Sequence, residues 1–561
     1  MNKLISLLSI IILFFICNPG YSQEDNIPLS NPVYDYLKIM SVKQVIGTIN
    51  DDDPNLSRQN VRDFLYEIDS KSDELSKVER QLLAKYKLEF LPEERTSENT
   101  TQFFDGDGKF SKRVKDIFSD KKKYIYTYEK DENNLYVDLF GNLVFAKEFK
   151  PYSDSVSYLF DGGFRFQGTV FNHLGYNLMF QKGAISKSPT LAIRVDPRLK
   201  NDYKFLENYD NIQSYDFNGG YLRYKTSPME GMDISAQIGR EQLKFGFGYG
   251  ERLALSGNGP DMDFIKFNFK YGIINFTSIT ASTVGEFHRD LDSNYSKYWA
   301  ANMLKLSFPK LFDIGMGDMV IYSRPLDLGY LNPLIFYKFV EHSLQDRDNG
   351  LIFFDFQTHF LKNIQFQANF LMDEDFIGQL SNLNRYSNKI GYQLGTYLYE
   401  PANIRNLSLI FEYTKIRPFV YTHVNPKNTY TSYTEILGNS IGPNADQLSI
   451  NAIYNFSDRL QLNLLFKKIR KGNNILDANG NLVKNVGGDV FQTYRYDIDP
   501  EDMYFLDGER VNTNVYAMDL KYEPITGFNF HLVYNYIGMS NITKDTFSDV
   551  SFAYLKFNLE Y

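Results

Sequence analysis

The sequence predicts an all-β membrane protein, a large antiparallel outer-membrane β-barrel of about 18 strands with a small N-terminal helical bundle. Three observations predict this fold. The chain opens with an export signal, and 16% of its residues are aromatic although its mean hydropathy is −0.37. Beyond residue 123, apolar and polar side chains alternate along most of the chain. A barrel strand faces lipid with one residue and the interior with the next, which produces this combination.

The first 22 residues are typical of a secretory signal peptide. Lys3 supplies a positive charge, and residues 4–17 are almost wholly apolar. We expect cleavage after Ser22. The apolar run is shorter than the roughly 20 residues that a membrane-spanning helix needs. A lipid-modified N-terminus at Cys17 is the alternative. It is disfavoured because Ile16 stands where lipoprotein signals prefer a small residue.

Composition excludes several kinds of chemistry. Cys17 is the only cysteine, so the mature chain has no disulfide, no catalytic thiol and no thiolate metal site. The formal net charge of −9 argues against nucleic acid as a partner, because proteins that bind it usually carry a basic face. A large soluble β protein would share the alternation, but the export signal and the features below argue against it.

Residues 23–95 carry a helical pattern. Asn31 can cap a first helix that should stop near Gly47, and Ser57 begins a second. Ser76-x-x-Glu79 forms a capping box for a third. These helices are amphipathic, charged and too short to span a membrane. We therefore expect a small helical bundle on the periplasmic side, resting on the barrel.

Residues 96–122 are predicted to form a polar linker. They contain Asp105-Gly106-Asp107-Gly108, which resembles the start of a calcium loop. The later ligands of such a loop, including a Glu at its end, are missing. A plain turn is the better interpretation.

Residues 123–561 follow a period of two, with clear runs at 164–170, 265–271, 364–370 and 448–456. A tilted strand needs about 9–11 residues to cross the bilayer. The minor face carries Asn, Gln, Ser, Thr or a lone Arg or Lys, which is typical of a hydrated barrel interior. Lipid also forces the barrel to close, because an open edge would leave backbone groups unpaired. At about 24 residues per strand and loop, the sequence accommodates about 18 strands.

The final strand carries a terminal signal. Ala553, Leu555, Phe557 and Leu559 alternate with more polar neighbours, and the sequence stops on the aromatic Tyr561. A last amphipathic strand with an aromatic carboxy-terminus is similar to the recognition signal of barrel-assembly machinery. We therefore expect that machinery to be a partner.

The sequence contains no catalytic or metal-binding motif. No two histidines share a metal-ligand spacing, and neither His-Glu-x-x-His nor Gly-x-Ser-x-Gly occurs. The glycine-rich stretch 246–250 lacks the spacing of a dinucleotide-binding loop. We therefore predict a protein that is not an enzyme and uses no metal and no cofactor. The six histidines are His173, His288, His342, His359, His423 and His531.

Acidic clusters follow or precede several predicted strands. Asp373-Glu374-Asp375 follows the strand at 364–372, and Asp348 precedes the strand around 351–356. A further cluster, Asp499 to Asp502, lies in a long polar insert at about 471–510. Each cluster alone is compatible with an ordinary solvated loop. Together with Tyr and Phe, such loops could recognise sugars, since carboxylates and amides bond hydroxyl groups while aromatic faces pack on sugar rings.

Several short segments, in order and in spacing, resemble the Wzi capsule-assembly family. The resemblance spreads over most of the mature chain, although no single motif is diagnostic. The N-terminal segments are Pro28-Leu29, Val33-Tyr34-Asp35-Tyr36-Leu37, Ser57-Arg58 and Leu75-Ser76. The barrel segments are Gly239-Arg240-Glu241, Phe245-Gly246-Phe247-Gly248, Leu255-Ser256-Gly257-Asn258-Gly259-Pro260, Ser323-Arg324-Pro325, Leu331-Asn332-Pro333-Leu334, Asp348-Asn349 with Asp355, and Met372-Asp373-Glu374-Asp375-Phe376.

This resemblance implies a lectin-like role without catalysis. The protein would hold capsular polysaccharide or exopolysaccharide at the cell surface, with outer-membrane lipid around the barrel and the helices in the periplasm. The insert at 471–510 is longer than in compact family members. As carbohydrate contacts we take Asp348, Asp355, Asp373, Glu374, Asp375, Arg240 and Arg324.

Three other functions are compatible with a barrel. A channel or porin would use the polar interior for solute passage. An accessory barrel of surface adhesion, gliding or secretion would act through partner proteins. A barrel enzyme would need Asp, His and Ser clustered in space. An interior closed by side chains and helices would favour the polysaccharide-binding hypothesis over the channel.

Overall fold

The barrel is closed and antiparallel, as the sequence predicts. A computed structural model describes residues 23–104, 112–130, 132–200, 207–209, 212–286, 294–345, 347–373 and 382–561. Within those residues, 18 long strands form one closed sheet. The strands are β1 Asn133–Lys150, β2 Val156–Val170, β3 Leu174–Lys187, β4 Ile212–Met229, β5 Met232–Glu241, β6 Met262–Tyr271, β7 Ile274–Glu286, β8 Tyr295–Phe308, β9 Phe312–Tyr322, β10 Asn349–Thr358, β11 Ile364–Met372, β12 Ile390–Tyr399, β13 Leu407–Ile416, β14 Ala445–Asn455, β15 Leu460–Asn473, β16 Glu509–Ile525, β17 Phe528–Asn541 and β18 Thr546–Glu560.

The last strand closes the barrel against the first. Leu555 of β18 lies opposite Phe145 of β1, and the pairing continues to the end of the chain. There the Tyr561 N–H donates to the Leu139 carbonyl at 2.8 Å, and the Leu139 N–H donates back to the Tyr561 carbonyl. No backbone edge is left open at this seam, as a barrel in lipid requires.

Alternation along the strands separates an apolar outer face from an inner face, as predicted. On β11, Phe366 is exposed on the outside, whereas Gln365 and Gln367 are buried inside. On β6, Ile265 is exposed and its neighbour Lys266 is buried. Apolar side chains are more stable in contact with lipid than in contact with water, so the outer face is the one that contacts the membrane.

The two rims of the barrel differ in the length of their connections. At the short-turn rim, residues 230–231, 272–273 and 526–527 join consecutive strands directly. At the opposite rim, which we call the loop rim, the connections include 242–261 and 474–508. Bacterial outer-membrane barrels have short periplasmic turns and longer extracellular loops.

Three helices precede the barrel: α1 Val33–Val42, α2 Arg58–Asp69 and α3 Lys77–Phe90. The predicted capping box of α3 is confirmed, because the Ser76 hydroxyl accepts from the Glu79 N–H while the Glu79 side chain accepts from the Ser76 N–H. Ser57 caps α2, also as predicted. Helix α1 ends at Val42, before Gly47, because Gln44 adopts a positive φ that breaks the helix. Among the described residues, no helix is long and apolar enough to cross a membrane.

The helices lie against the short-turn rim and share one apolar core with the barrel. That core includes Tyr397 and Tyr399 of β12. The Tyr399 hydroxyl donates to the Glu79 carboxylate at 2.8 Å, and the Ser76 hydroxyl donates to Asn406 at 2.8 Å. The helices are therefore fixed to the barrel by buried contacts.

Smaller elements decorate this frame. Thr100–Gln102 pairs in parallel with Lys122–Tyr124 in the segment predicted as a linker. The Asp105-Gly106-Asp107-Gly108 turn and residues 1–22 lie outside the described residues. Other short strands are Tyr126–Lys130, Glu207–Tyr209, Thr431–Ser432, Glu435–Ile436, Ile475–Leu476 and Leu482–Lys484, and the further helices are α4 Pro189–Val195, α5 Tyr337–Ser343 and the 3-10 turns Ser72–Glu74, Pro92–Glu94, Lys112–Phe118, Pro197–Lys200, Leu328–Leu331, Pro401–Asn403 and Pro426–Asn428.

Candidate functional site

The barrel interior is occupied from the short-turn rim by the segment between α1 and α2. Asp52 forms a buried ion pair with Lys305 of β8, and Asp53 forms another with Lys266 of β6. Asn268 also donates to the Asp53 carboxylate at 2.9 Å. These buried charges are paired, as buried charges must be to avoid a large desolvation cost. The N-terminal segment is thereby held inside the barrel.

A loop from the opposite rim, residues 242–261, meets this segment inside the barrel. The Gly246 N–H donates to the Asp52 carbonyl at 2.9 Å, and the Arg252 guanidinium donates to the Asp51 carbonyl at 2.8 Å. The glycine-rich stretch at 246–250 therefore lies in an inward-folded loop and not in a strand. The Phe247 N–H donates to Asp355 of the barrel wall at 3.1 Å.

A second inward loop, residues 417–444, builds an apolar core on top of the first. Tyr421 and Tyr430 stack with ring centroids 5.4 Å apart. The Trp299 indole donates to the Tyr430 hydroxyl at 2.7 Å, and that hydroxyl donates to the Ala254 carbonyl at 2.9 Å. The interior is packed here with buried apolar side chains. The prediction of a hydrated interior was therefore wrong for the part of the barrel around Trp299, Tyr421 and Tyr430. Loops from distant parts of the chain fill the space there.

Three segments together close the loop rim, and we call them the mouth cover: residues 382–389, 417–444 and 474–508. The Tyr386 N–H donates to the Glu501 carbonyl at 2.8 Å, which ties the first segment to the third. The Phe419 N–H donates to the Gly487 carbonyl at 3.0 Å, which ties the second to the third. Gly487 has a φ of +65°, and a Cβ there would meet the Phe419 nitrogen at 2.7 Å, so only glycine fits.

A cluster of three tyrosines, which we call the tyrosine cluster, lies within the mouth cover. The rings of Tyr386 and Tyr494 stack face to face, with centroids 3.6 Å apart and planes 3° from parallel. Tyr496 stands perpendicular to both, with its centroid 5.3 Å from that of Tyr494. Phe419 closes the other side of Tyr494, and both are buried. Tyr496 itself is 58% exposed, so a fixed aromatic ring is presented to solvent.

Charged and amide groups hold this cluster in place. The Arg495 guanidinium and the Asn485 amide both donate to the Asp499 carboxylate, and the Tyr494 hydroxyl donates to the Asp499 carbonyl. Burial alone would raise the pKa of Asp499, but the hydrogen bonds from Arg495 and Asn485 outweigh it and hold that pKa below its usual range. Asp499 is therefore ionised at neutral pH and orients the two residues beside Tyr496.

Further polar side chains lie at the solvent side of the mouth cover. Asn382 donates to the Asp502 carboxylate at 2.7 Å, and Arg385 lies 3.9 Å from the Glu501 carboxylate. The Glu501 side chain is largely exposed. An exposed aromatic ring beside carboxylates, amides and guanidinium groups can pack on an apolar ring face and bond hydroxyl groups at its edge.

The sequence-predicted contact residues that the structure describes are dispersed, and among them only Arg324 and Asp348 contact each other. The Arg324 guanidinium donates to the Asp348 carboxylate at 2.7 Å outside the barrel wall. Asp355 accepts from the Phe247 N–H inside the barrel, and Asp373 accepts from the N–H of Tyr421 in the mouth cover. All three aspartates are buried.

Of the remaining predicted contacts, Arg240 lies on the outer face of β5 and pairs with the exposed Asp263. Glu374 and Asp375 lie outside the described residues. The role of all seven predicted residues in carbohydrate binding stays a prediction. Among the described residues, no group of three or more His, Cys, Asp or Glu side chains is placed to hold a metal ion.

The tyrosine cluster was not among the predicted contacts. A local signal existed, because Tyr494-Arg495-Tyr496 precedes Asp499 in the insert whose acidic residues were noted. Tyr386, however, comes from a different loop, and its stacking on Tyr494 depends on contacts between distant segments. A separate cavity of about 620 Å³ lies at the short-turn rim, away from the tyrosine cluster. Two charged side chains in its lining, Lys85 and Glu523, already pair with each other.

Comparison with known proteins gives one family match. A family model described as capsule assembly protein Wzi matches residues 190–499, more than half of the chain. The fold is similar to that of Wzi from Escherichia coli, described as an outer-membrane protein involved in group 1 capsule assembly and as a carbohydrate-binding β-barrel. That match has a TM-score of 0.55 and 11% sequence identity, and covers 95% of this chain and 99% of the other.

Two further solved barrels match less well. OccAB2 of Acinetobacter baumannii gives a TM-score of 0.43 at 11% identity, covering 76% of this chain and 98% of its own. OprD of Pseudomonas aeruginosa gives 0.42 at 9% identity, covering 76% and 95%. A search of curated proteins returned no significant match.

Proposed function

This chain belongs to the Wzi capsule assembly family, and we propose that it holds capsular or related surface polysaccharide at the cell surface through its mouth cover. The resemblance predicted from short sequence segments is confirmed by the family match. The protein is an outer-membrane β-barrel of that family.

The loop rim faces the outside of the cell and the helices lie in the periplasm. In bacterial outer-membrane barrels the short turns are periplasmic and the long loops extracellular. Helices α1 to α3 pack on the short-turn rim, for example through Tyr399 and Glu79. This orientation puts the mouth cover where a surface polymer can reach it.

The observation that carries the proposal is the exposed ring of Tyr496 on a rigid base. Its neighbours Tyr386 and Tyr494 are locked by stacking and by hydrogen bonds to Asp499 and Glu501. An aromatic ring that is already ordered loses little conformational entropy when a ligand binds. Sugar rings have apolar faces and hydroxyl edges, which match this ring and the polar side chains around it.

The packed interior supports retention of a polymer over passage of a solute. Residues 49–55 and 242–261 meet inside the barrel, and Trp299 and Tyr430 lie in an apolar core above them. A porin instead keeps a water-filled channel. Steady ion conductance by the intact purified barrel would count against the proposal.

The protein acts without catalysis. The family is one of capsule assembly, and the tyrosine cluster offers binding groups but no paired acid and base around a reacting centre. Asp499, its buried carboxylate, is occupied by Arg495 and Asn485. A carboxylate held in this way orients its neighbours.

Barrel assembly uses the C-terminal strand as its signal. Tyr561 follows β18 and closes the seam to Leu139. An aromatic end on the closing strand is similar to the signal that barrel-assembly machinery recognises, so we expect truncation of Tyr561 to slow assembly and not to change ligand binding.

Direct binding tests the proposal. The purified full-length barrel is mixed with surface polysaccharide isolated from the same strain, and binding is followed by co-sedimentation at several salt concentrations. We expect saturable binding that free polymer competes away and that a neutral dextran of similar size does not. Absence of binding by the folded barrel, or equal binding to dextran, would overturn the proposal.

A further inference from the structure

One connection at the loop rim folds over the outside of the barrel and not into its interior. We call residues 323–345, which follow β9, the outer-wall loop. Its Tyr330 and Tyr337 are fully buried against Ala300 of β8 and Val320 and Tyr322 of β9. This packing places the loop on the barrel wall itself.

That wall is the outward face of the strands. Ala300 shares its face with Leu304, and Val320 shares its face with Met316, and both Leu304 and Met316 are exposed on the outside. The intervening Trp299 belongs to the interior core. The outer-wall loop therefore lies where other strands of the barrel contact lipid.

The wall beneath the loop carries polar side chains in a row. Ser278, Asn302 and Asp318 lie opposite one another on β7, β8 and β9, all on the outward face. Polar and acidic side chains on the lipid side are costly. The loop supplies partners for them, because Asn302 donates to the Ile335 carbonyl at 2.9 Å and Asp318 accepts from the Tyr337 N–H. The loop is thus a built cover for polar groups on the wall.

The base of the loop is fixed by two residues that the sequence suggested as sugar contacts. The Arg324 guanidinium bonds Asp348 at 2.7 Å and also pairs with Asp327. The Tyr330 hydroxyl donates to the same Asp348 carboxylate at 3.0 Å. The Arg324 side chain lies over the Tyr322 ring, 4.9 Å from its centroid. These contacts tie both ends of the loop to the wall.

Large apolar side chains dominate the surface that the loop presents away from the barrel, although Asn332, His342, Ser343 and Gln345 are exposed as well. Leu328 is 78% exposed, Leu334 is 88% exposed and Phe339 is 70% exposed. Leu326 and Ile335 add to the same exposed set. Large apolar side chains this exposed in one short segment indicate a surface that is covered in use.

Several backbone N–H groups of the loop are satisfied by nearby side chains. The Gly329 N–H donates to the Asp327 side chain at 2.8 Å, and the Leu334 N–H donates to the Asn332 side chain at 3.1 Å. Pro325 and Pro333 have no N–H to satisfy. Unpaired backbone groups exclude irregular segments from hydrocarbon, so these local bonds and the two prolines lower the cost of placing the loop there.

The loop lies at the height of the acyl chains. Phe312 begins β9 within a set of neighbouring rings that includes Phe308 and Phe356 at the short-turn rim. With about 3.3 Å per residue and a tilt near 40°, Asp318 stands about 15 Å and Tyr322 about 25 Å above Phe312. The apolar band of such a barrel is about 25 Å tall. The outer-wall loop therefore covers the part of the band that belongs to the outer leaflet.

We propose that the outer-wall loop is embedded among the acyl chains of the outer leaflet, with Leu328, Leu334 and Phe339 as its lipid contacts. The apolar surface of the loop is continuous with the lipid-facing wall, including Leu304 and Met316. The loop then increases the cross-section of the protein in the outer leaflet and fixes the depth of the barrel in the membrane. This proposal does not depend on the polysaccharide ligand.

Fluorescence quenching by brominated acyl chains tests it. The chain has one tryptophan, Trp299, which is fully buried in the interior core and gives a background that lipid cannot reach. Phe339→Trp and Leu328→Trp are placed in the full-length protein and reconstituted into phosphatidylcholine vesicles with brominated acyl chains. Phe354→Trp on the outward face of β10 is the positive control, and Phe491→Trp in the mouth cover is the negative control.

We expect both loop variants to be quenched to the same fraction as Phe354→Trp, while Phe491→Trp behaves like the wild type. If Phe354→Trp is quenched and neither loop variant is, the proposal is wrong. In that case light scattering in detergent distinguishes the reasons: a dimer would assign the apolar surface to a second copy, and a monomer would place the loop above the acyl chains. Either result would exclude acyl chains as the partner of this apolar surface.

Discussion

Tyr496 joins two properties that rarely occur together in a surface side chain, since it is largely exposed and yet held by packing. Its position depends on Tyr386 and Tyr494, whose rings are 3.6 Å apart, and on the Asp499 hydrogen bonds. At the residue scale, binding energy concentrates in a few ordered aromatic and arginine side chains. Tyr496 is the residue of the mouth cover that best fits this description.

Tyr496→Ala is expected to weaken binding of the surface polysaccharide by about tenfold, because loss of a central aromatic contact usually costs more than about 1 kcal/mol. Tyr496→Phe should retain most of the affinity, since it keeps the ring. Titration of the purified variants measures both. The matched control is Tyr152→Ala, an exposed tyrosine on the turn between β1 and β2. Equal affinity for Tyr496→Ala and wild type would exclude the ring as a contact.

Individual residues were predicted unevenly from the sequence. The capping pair Ser76 and Glu79 follows from local spacing, and the alternation at Gln365 and Phe366 follows from the pleat. Asp355 and Asp373 could not be interpreted in the same way. Their partners are backbone N–H groups more than a hundred and nearly fifty residues away, respectively. A carboxylate that the sequence suggests is available for a ligand can thus already accept a hydrogen bond from the backbone of a distant loop.

The insert at 474–508 is the element that completes the mouth cover. It supplies Tyr494 and Tyr496 and packs Gly487 on Phe419. It begins and ends on paired residues, because Asn473 of β15 lies opposite Glu509 of β16. The barrel wall beneath it is therefore complete without the insert.

Replacing residues 474–508 with Asn-Gly is expected to leave an assembled barrel that no longer binds polysaccharide. A two-residue Asn-Gly turn suits a hairpin whose strand ends are already paired. Gel mobility before and after heating reports assembly, and co-sedimentation reports binding. A hairpin replacement of residues 542–545, the short connection between β17 and β18, is the control and should bind normally. Full binding by the shortened chain would place the ligand elsewhere.

The segment between α1 and α2, which enters the barrel from the short-turn rim, leads to a second prediction about an element of the fold. Asp52→Ala leaves the buried Lys305 ammonium without its carboxylate partner, although the bond to Asn50 remains. Loss of one partner of a buried ion pair usually destabilises a protein by about 3–5 kcal/mol. Asp52→Ala with Lys305→Met should recover much of this loss. Denaturant unfolding followed by Trp299 fluorescence measures both. Lys150→Ala, which breaks the exposed pair with Asp549, should change nothing measurable. Unchanged stability of Asp52→Ala would mean that water reaches Lys305.

For the molecule as a whole, the sequence predicted the barrel and its approximate strand number, because lipid imposes a period of two and a closed sheet on the chain. The C-terminal strand could be found for the same reason. The paths of the connections could not. Whether residues 242–261 turn inward or 323–345 turn outward depends on contacts such as Gly246 with Asp52, which join distant segments. The outward position of Asp318 is explained by its contact with the outer-wall loop, which alternation along the strand does not reveal.

The described residues form a closed wall with inward loops packed in part of its interior, a helical base and a mouth cover at the loop rim. In the proposed role of polymer retention, the inward loops obstruct the passage of solutes, the base fixes the N-terminal segment, and the mouth cover presents Tyr496. A channel would need the interior that Asp52, Lys305 and the inward loops occupy. The proposed role therefore requires the mouth cover to bind the surface polysaccharide of the cell.

Retention of surface polysaccharide in a deletion strain tests that central claim most directly. The gene is deleted and then complemented with the wild type or with Tyr496→Ala, and polymer is measured on washed cells and in the medium. We predict that the deletion releases polymer into the medium at unchanged total yield, that the wild type restores attachment, and that Tyr496→Ala restores it only in part. Unchanged attachment in the deletion strain would contradict the account.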